Sequence, residues 1–159
     1  MGTPTRPLNA RQLERLNSGA TRTAIKWMSR AQTWLFTTTG GRFGNRFLRG
    51  AEVGILTTTG RKSGEARECP VLFLREGDRI VLVASQGGRA TNPAWYGNIQ
   101  ANPEISFRTR DDLLRLTARD ATRTERDEYW PKLDAMYPDF ENYRSYTDRE
   151  IPILICDPL

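Results

Sequence analysis

A turn between two apolar segments concentrates positive charge. Residues 59–64 read TGRKSG and Arg67 follows, so three cations flank a turn bounded by glycines. Glycine permits a tight turn with exposed N–H groups, arginine binds phosphate or carboxylate through its planar fork, and lysine binds them as a point charge. The pattern suits the phosphorylated or polycarboxylate tail of a ligand. The alternative is a solvated basic hairpin tip, which the turn taken alone favours.

Two later segments suit a flat ring. Residues 84–88 read ASQGG at the end of an apolar segment, and a small, glycine-rich loop lets a ring approach the backbone closely. Further along, Trp95 is placed to cover such a ring and Asn98 to hydrogen-bond its edge. The alternatives are an ordinary turn and a core tryptophan, the default for a single aromatic residue.

The last third of the chain is rich in aromatic residues. Phenols beside a bound ligand can hold a flat apolar substrate and supply a proton, whereas the alternative is packing of the last helices. These residues are Tyr129, Trp130, Tyr137, Phe140, Tyr143 and Tyr146.

The composition excludes several kinds of catalysis. The chain has no histidine, so Ser-His and Cys-His nucleophile pairs are absent. Its two cysteines, Cys69 and Cys156, form no C-x-x-C pair, and we expect no metal site. An enzyme of this composition favours a bound cofactor that carries the difficult step.

Six apolar segments predict strands in a single domain over residues 51–159. There is no alternation of strand and helix, a turn is predicted at Gly77, and near-continuous apolar segments indicate burial on both faces. We therefore predict a mainly β fold with accessory helices, namely an antiparallel barrel. The predicted strands cover residues 52–58, 68–75, 79–84, 105–109, 113–118 and 151–156.

Helix signals lie between these strands. Asn92 suits an N-cap and Pro93 the first helical position, which predicts a helix to about residue 100. Thr122 and Glu125 form a capping-box pattern that begins a helix through about residue 136. Pro131 lies inside that helix and is expected to kink or divide it.

The N-terminal third is polar and basic. Residues 1–20 predict a loose or locally helical tail, residues 21–36 a helix, and residues 37–50 a loop. The helix places Ala24, Trp27, Met28, Ala31, Trp34 and Leu35 on one face, opposite Arg22, Lys26 and Arg30. Such a helix either lies in a membrane interface or docks on its own domain.

Residues 1–50 carry nine basic residues and one acid, Glu14. A non-catalytic module that binds anionic membrane or nucleic acid is therefore an alternative to a cofactor-dependent enzyme. Nucleic acid is not expected, because no aromatic residues alternate with the basic ones as a stacking platform requires. No apolar segment approaches the ~20 residues of a membrane span, and no secretory signal is present, so a cytoplasmic location is expected.

Taken in order, these segments resemble the deazaflavin-dependent nitroreductase and F(420)H(2)-dependent quinone reductase family of actinobacteria. The resemblance runs from about residue 25 to residue 158. It implies a split β-barrel of the FMN-binding or pyridoxamine-phosphate-oxidase-like kind, and reduced coenzyme F(420) as hydride donor to a quinone, enone or nitroaromatic acceptor. The matching segments are LTTTGRKSG, VASQGG, TNPAWYGNIQANP, LTARDAT, EYWP, MYP and TDREIPILICDP.

The resemblance also implies roles for individual residues. It places the tail of the cofactor on the cationic turn and the deazaflavin ring on the segments that follow, and it places Ser85, Tyr137 and Tyr143 in the acceptor pocket. The implied cofactor-binding residues are Arg61, Lys62, Ser63, Arg67, Pro70, Leu72, Val83, Ala84, Ser85, Gln86, Ala94, Trp95 and Asn98.

Three residues depart from well-known members of that family. Gln86 replaces a lysine, while Leu72 and Phe140 each replace a tyrosine, which argues against reduction of bicyclic nitroimidazoles but leaves the cationic turn intact. Split barrels also hold FMN, whose phosphate suits the same turn, so FMN is the alternative cofactor. Split barrels often pair, which makes a homodimer compatible with this sequence.

Overall fold

The computed structural model describes residues 8–38 and 51–159 of the chain. Its centre is a closed antiparallel barrel with the strand order β1-β2-β3-β6-β5-β4, which confirms the predicted split β-barrel. The predicted loop over residues 37–50 lies outside the described residues, apart from two positions that end a helix. The strands are β1 (Val53–Thr59), β2 (Ala66–Glu76), β3 (Arg79–Val83), β4 (Glu104–Arg108), β5 (Leu113–Asp120) and β6 (Ile153–Pro158).

Helices precede the barrel and fill two of its connections. In the part of the chain that the structure describes, two lie before the barrel, one joins β3 to β4, and two join β5 to β6. A 3₁₀ turn, Gln86–Gly88, leads out of β3. The helices are α1 (Ala10–Leu16), α2 (Gly19–Thr38), α3 (Ala94–Ala101), α4 (Arg123–Met136) and α5 (Asp139–Ser145).

Apolar residues form two layers, one inside the barrel and one beneath the late helices. Ile80 and Leu82 point into the barrel, whereas Val81 packs under α4 and α5. β6 alternates in the same way, with Leu154 inside and Ile155 outside. Burial on both faces, expected from the continuous apolar segments, therefore holds for β3 and β6. On β2 only Phe73 is fully buried.

Strand direction collects the long connections at one end of the barrel. Each strand runs antiparallel to both neighbours, so β1, β3 and β5 all end where β2, β4 and β6 begin. The β1–β2 turn, the α3 connection and the α4–α5 connection lie at this end, which we call the helical end. The opposite end carries the tight turns at Gly77 and at residues 109–112.

The capping box at the start of α4 is confirmed. The Thr122 hydroxyl accepts from the Glu125 N–H at 3.3 Å, and the Glu125 carboxylate accepts from the Thr122 N–H at 2.8 Å. Of the kink or division expected at Pro131, the division is wrong, because α4 runs through that residue as one helix. Proline removes one N–H donor, but Tyr129 and Leu133 are buried against the barrel on either side of it.

The predicted N-cap at Asn92 is also wrong. α3 begins at Ala94 with Pro93 as its N-cap residue, and no side chain caps it. The amide oxygen of Asn92 instead accepts from Nη1 of Arg149 at 2.6 Å. The contact of Asn92 with Arg149, a residue far along the chain, has replaced the predicted local capping of α3.

The N-terminal helices are attached to the barrel through their connection. Of the two alternatives for the tail, a local helix forms, and Asn17 links it to the loop after β3. The Asn17 side chain accepts from the Ala90 N–H at 3.0 Å, and its carbonyl accepts from Nη2 of Arg89 at 3.3 Å.

The exposure of α2 differs from that of a helix docked by its apolar face. Its less exposed residues include Thr21, Ile25 and Gln32, whereas Trp27 and Trp34 are each 66% exposed. In this chain the most apolar face of the helix therefore points towards solvent. No helix among the described residues has both the length and the apolar content required to span a bilayer.

Candidate functional site

A cleft of about 1000 Å³ opens between α2, the first half of β2 and the start of α3. It follows β2 from Ala66 to Leu72, a distance of roughly 20 Å at ~3.4 Å per residue. Its length suits an extended ligand. The cleft brings together most of the predicted site residues, namely Arg67, Pro70, Leu72, Val83, Ser85, Gln86, Ala94, Trp95, Asn98 and Tyr143.

Five predicted residues do not line the cleft. Arg61, Lys62 and Ser63 belong to the turn beyond its end, Ala84 is fully buried, and Tyr137 lies behind Tyr143. Their predicted contacts with a ligand stay predictions. The turn itself is well defined, because the Gly60 N–H donates to the Glu65 carbonyl and the Gly64 N–H to the Gly60 carbonyl, both at 2.7 Å.

The cations of the turn occupy different surroundings. Lys62 is exposed, whereas Nη2 of Arg67 contacts the Glu65 carboxylate at 2.7 Å and the Ser63 hydroxyl at 3.3 Å. The side chains of Arg67 and Glu65 are 58% and 68% exposed, so this ion pair is weak and easily exchanged for another anion. Arg67 is therefore available to an anionic ligand.

Arg61 is fixed on α3 by Asn98. The Asn98 amide oxygen accepts from the Arg61 N–H at 3.2 Å and from its Nη1 at 3.3 Å. The amide nitrogen donates to the Thr58 hydroxyl at 3.0 Å, and Arg61 Nη1 also reaches the Ala94 carbonyl at 3.2 Å. Asn98 is 7% exposed and thus connects the end of β1, the turn and α3. The contact predicted between Asn98 and the edge of a ring would have to use the same amide atoms of Asn98.

Gly97 provides the space for the Arg61 guanidinium. A Cβ atom at Gly97 would lie 2.7 Å from Nη1 and 3.0 Å from Cζ of Arg61, closer than van der Waals contact allows. The position of this cation therefore depends on the absence of a side chain there.

The loop after β3 adopts an unusual backbone conformation at the middle of the cleft. Gln86, Gly87 and Gly88 have φ values of 48°, 66° and 78°, so three successive residues occupy the left-handed region. A Cβ atom at Gly88 would lie 2.7 Å from the Tyr143 carbonyl oxygen. The glycine thus lets the loop pack against α5, which brings Ser85 and the tyrosines to the same cleft.

Gln86 stabilises this loop rather than extending a charge from it. With its amide oriented so that the nitrogen faces the backbone, it donates to the Thr91 carbonyl at 2.8 Å and to the Asn92 carbonyl at 3.1 Å. The side chain therefore connects the beginning and the end of the loop. The side chain that does this is a neutral amide.

Two phenols form a pair on the α5 side of the cleft. The hydroxyls of Tyr137 and Tyr143 lie 3.2 Å apart, and Tyr137 is 2% exposed whereas Tyr143 lines the cleft. Burial, together with the hydrogen bond to Tyr137, raises the pKa of Tyr143 well above its ordinary value. The Tyr143 hydroxyl therefore keeps its proton throughout the neutral range. Phe140 packs edge-on against Tyr137 at 5.2 Å and also lines the cleft.

Other lining residues were not expected from the sequence. Ile25 and Gln32 of α2 line the cleft although they lie outside the apolar face that the sequence predicted. Cys69 also lines the cleft, but burial raises the pKa of its thiol to about 11, so it is not a thiolate nucleophile at neutral pH. Arg149, which holds the loop after β3, had no local sequence signal.

Comparison with known proteins supplies independent information. A family model described as F(420)H(2)-dependent quinone reductase matches residues 27–158. An F(420)H(2)-dependent quinone reductase of Mycobacterium tuberculosis is 30% identical over 124 residues, which cover 76% of this chain and 83% of that protein.

Solved structures agree with the family match. An F(420)H(2)-dependent reductase, FDR-A, is 38% identical with a TM-score of 0.62, over 66% of this chain and 93% of that one. A second structure, described as a domain-swapped dimer, is 35% identical with a TM-score of 0.65, over 83% of this chain and 98% of that one.

Gly97→Ala is expected to move the Arg61 guanidinium off α3 without unfolding the protein. The atoms in the way are the far end of a flexible side chain, and alanine favours a helix over glycine by about 1 kcal/mol. A crystal structure, or the NMR signal of the Arg61 Nε–H, checks this. Gly19→Ala is the control, since nothing lies within 4 Å of a Cβ atom there. An unmoved guanidinium in Gly97→Ala would contradict the steric argument.

Proposed function

The chain belongs to the F(420)H(2)-dependent quinone reductase family of oxidoreductases, and from that premise we propose that its cleft binds reduced F(420) for hydride transfer to a quinone. One observation carries the proposal. A single elongated cleft runs from Arg67, which follows the cationic turn, to a region lined by Ser85, Trp95 and Tyr143. The two ends thus differ in charge and polarity, as a cofactor with an anionic tail and a flat ring requires.

The cationic end fits the tail. Phosphate and carboxylate groups are bound by arginine forks and lysine point charges, and Lys62 and Arg67 are both exposed. Arg67 would exchange Glu65 for the tail at little cost, because both members of that pair are exposed. Arg61 and Ser63 complete the set, with Arg61 held on α3 by Asn98.

The other end fits the ring. Trp95 and Leu72 give the cleft apolar surface, and the loop at Ser85 and Gln86 presents backbone closely enough for a planar group. Pro70, Val83, Ala84 and Ala94 are proposed to complete this surface. When bound, reduced F(420) supplies the hydride, and the chain supplies orientation and a polar environment.

Tyr143 and Ser85 are proposed to act on the acceptor. Hydride addition to a quinone leaves negative charge on an oxygen, which needs a hydrogen-bond donor or a proton. The Tyr143 hydroxyl holds its proton at neutral pH, and Tyr137 lies 3.2 Å behind it as a second phenol. Enones and nitroaromatics present the same kind of electrophile, so we propose them as further acceptors.

The full-length protein is expected to oxidise reduced F(420) when a quinone is added. The check is stopped-flow absorbance of the cofactor with a panel of quinones, enones and nitroaromatics. Lys62→Ala and Arg67→Ala should each weaken F(420) binding about tenfold, since a charged hydrogen bond contributes about 1.5 kcal/mol. The melting temperatures should not change.

Arg110→Ala is the matched control, because Arg110 is an exposed arginine at the opposite end of the barrel. Absence of turnover with every acceptor would exclude the proposed activity. Tighter binding of FMN than of F(420) in the same fluorescence titration would favour the alternative cofactor. Loss of fold in the Lys62 and Arg67 variants would mean that the turn is structural.

A second proposal concerns α2, for which we infer peripheral contact with the inner face of the cell membrane. Trp27, Met28 and Trp34 are 66%, 56% and 66% exposed on one face of this helix. Arg30 lies over the Trp27 ring at 5.6 Å, and Lys26 is exposed nearby. Aromatic residues beside cations are typical of interfacial helices. Met28 and Trp34 also line the cleft, so an acceptor dissolved in lipid would have a short path to it.

The double variant Trp27→Ala/Trp34→Ala should no longer float with anionic vesicles, whereas the parent protein should. Leu113→Ala is the control, because Leu113 is a 63% exposed apolar residue on β5, away from α2. Equal flotation of the double variant would contradict the membrane contact.

A homodimer is the competing occupant of this face, since one similar structure is a domain-swapped dimer. Sedimentation without vesicles distinguishes the homodimer from membrane contact, because the double substitution would dissociate a dimer that forms through this face.

A further inference from the structure

Arg149 holds both ends of the loop that follows β3. Its Nη2 donates to the Ala84 carbonyl at 3.1 Å and to the Ser85 carbonyl at 2.8 Å. Its Nε donates to the Arg89 carbonyl at 2.9 Å, and its Nη1 to the Asn92 amide oxygen at 2.6 Å. A single guanidinium therefore bridges the first and last residues of a loop that lines the cleft.

This loop needs an external support. Three successive residues have positive φ, and one of them, Gln86, is not a glycine. A residue with a side chain occupies this region only when its surroundings stabilise the conformation. Within the loop, the Gly88 N–H donates to the Ser85 carbonyl at 2.9 Å and the Arg89 N–H to the Gln86 carbonyl at 3.3 Å, and the Gln86 amide donates to the Thr91 and Asn92 carbonyls. Asn17 makes long-range contacts with Arg89 and Ala90 at the end of the loop, whereas Arg149 contacts both ends.

The charge of Arg149 is not neutralised by a nearby acid. All four of its acceptors are uncharged, and it takes part in none of the ion pairs formed within residues 8–38 and 51–159. The neighbouring Glu150 approaches Arg126 instead, at 3.6 Å. Burial lowers the pKa of Arg149 from its ordinary value, as expected for a cation without a carboxylate partner.

We propose that Arg149 is a positioning residue, which fixes Ser85 and Gln86 at the ring and acceptor end of the cleft and places a positive charge behind the Ser85 carbonyl. The role rests on the proposed function. This positioning role predicts that substitution of Arg149 affects the hydride step rather than binding of the cofactor's tail. The reason is that the cationic turn belongs to a different connection between strands. A lysine at position 149 would keep the positive charge but not all four hydrogen bonds, since an ammonium lacks the planar fork of a guanidinium.

The first test needs no cofactor. In Arg149→Gln the backbone amides of Gly88 and Arg89 should exchange with deuterium at least about tenfold faster than in the parent, because the loop loses its support. Arg126→Gln is the matched control. Arg126 donates to the Ile151 carbonyl at 3.0 Å at the same end of the barrel, but contacts no residue of the loop. Unchanged exchange in Arg149→Gln would overturn the positioning role.

The second test separates binding from chemistry. Arg149→Gln should lower kcat about tenfold or more, with the F(420) dissociation constant changed less than about threefold. Arg149→Lys should recover only part of kcat, and Arg126→Gln should match the parent. Should Arg149→Gln not fold, Asn92→Ala removes one loop contact while leaving Arg149 in place, and should lower kcat by a smaller factor.

The outcomes distinguish this inference from the proposed function. A parent protein without F(420) binding or turnover would refute the proposed function, whereas the exchange experiment would still report on the loop. An active parent with parental kcat in both Arg149→Gln and Asn92→Ala would refute the role of Arg149 alone. Equal losses in F(420) affinity and kcat would point to general disruption of the cleft and also contradict it.

Discussion

Closure of the barrel is the constraint on which the site depends. Because every strand runs antiparallel to both neighbours, β1, β3 and β5 end at the helical end, and β2, β4 and β6 begin there. The cationic turn, the Ser85 loop and Tyr143 of α5 come from connections far apart in sequence. Antiparallel closure brings the Ser85 loop and Tyr143 to one cleft, with the cationic turn beyond its end. A barrel core buried on both faces of β3 and β6 keeps that arrangement rigid.

Within this frame, a few polar side chains fix each part of the site. Asn98 joins the turn to α3, and Arg149 joins the ends of the Ser85 loop. Gly88 permits the same loop to touch α5. One hydrogen bond of this kind contributes only about 1 kcal/mol, but loss of one partner of a buried amide such as Asn98 leaves a polar group without water or partner. The geometry of the cleft is therefore more sensitive to these residues than global stability is.

Local patterns predicted most of the fold. Alternating and continuous apolar segments identified all six strands, and the Thr122–Glu125 pattern identified the start of α4. The errors occurred where distant contacts decide the outcome. Asn92 is bound by Arg149 instead of capping α3, and α4 continues through Pro131, with Tyr129 and Leu133 buried on either side. Most of the predicted site residues line the cleft, but their roles came from resemblance, since an isolated basic turn has no distinguishing local signal. Arg149 was missed because its four acceptors are at least 57 positions away.

The most direct test is a crystal structure of the full-length protein with F(420). The account predicts the deazaflavin ring between Trp95 and the Ser85 loop, with the anionic tail extending along β2 to Lys62 and Arg67, and Arg67 released from Glu65. A tail bound instead to Lys26 and Arg30 of α2, which also line the cleft, would contradict the account. A ring placed away from the Ser85 loop would contradict it as well.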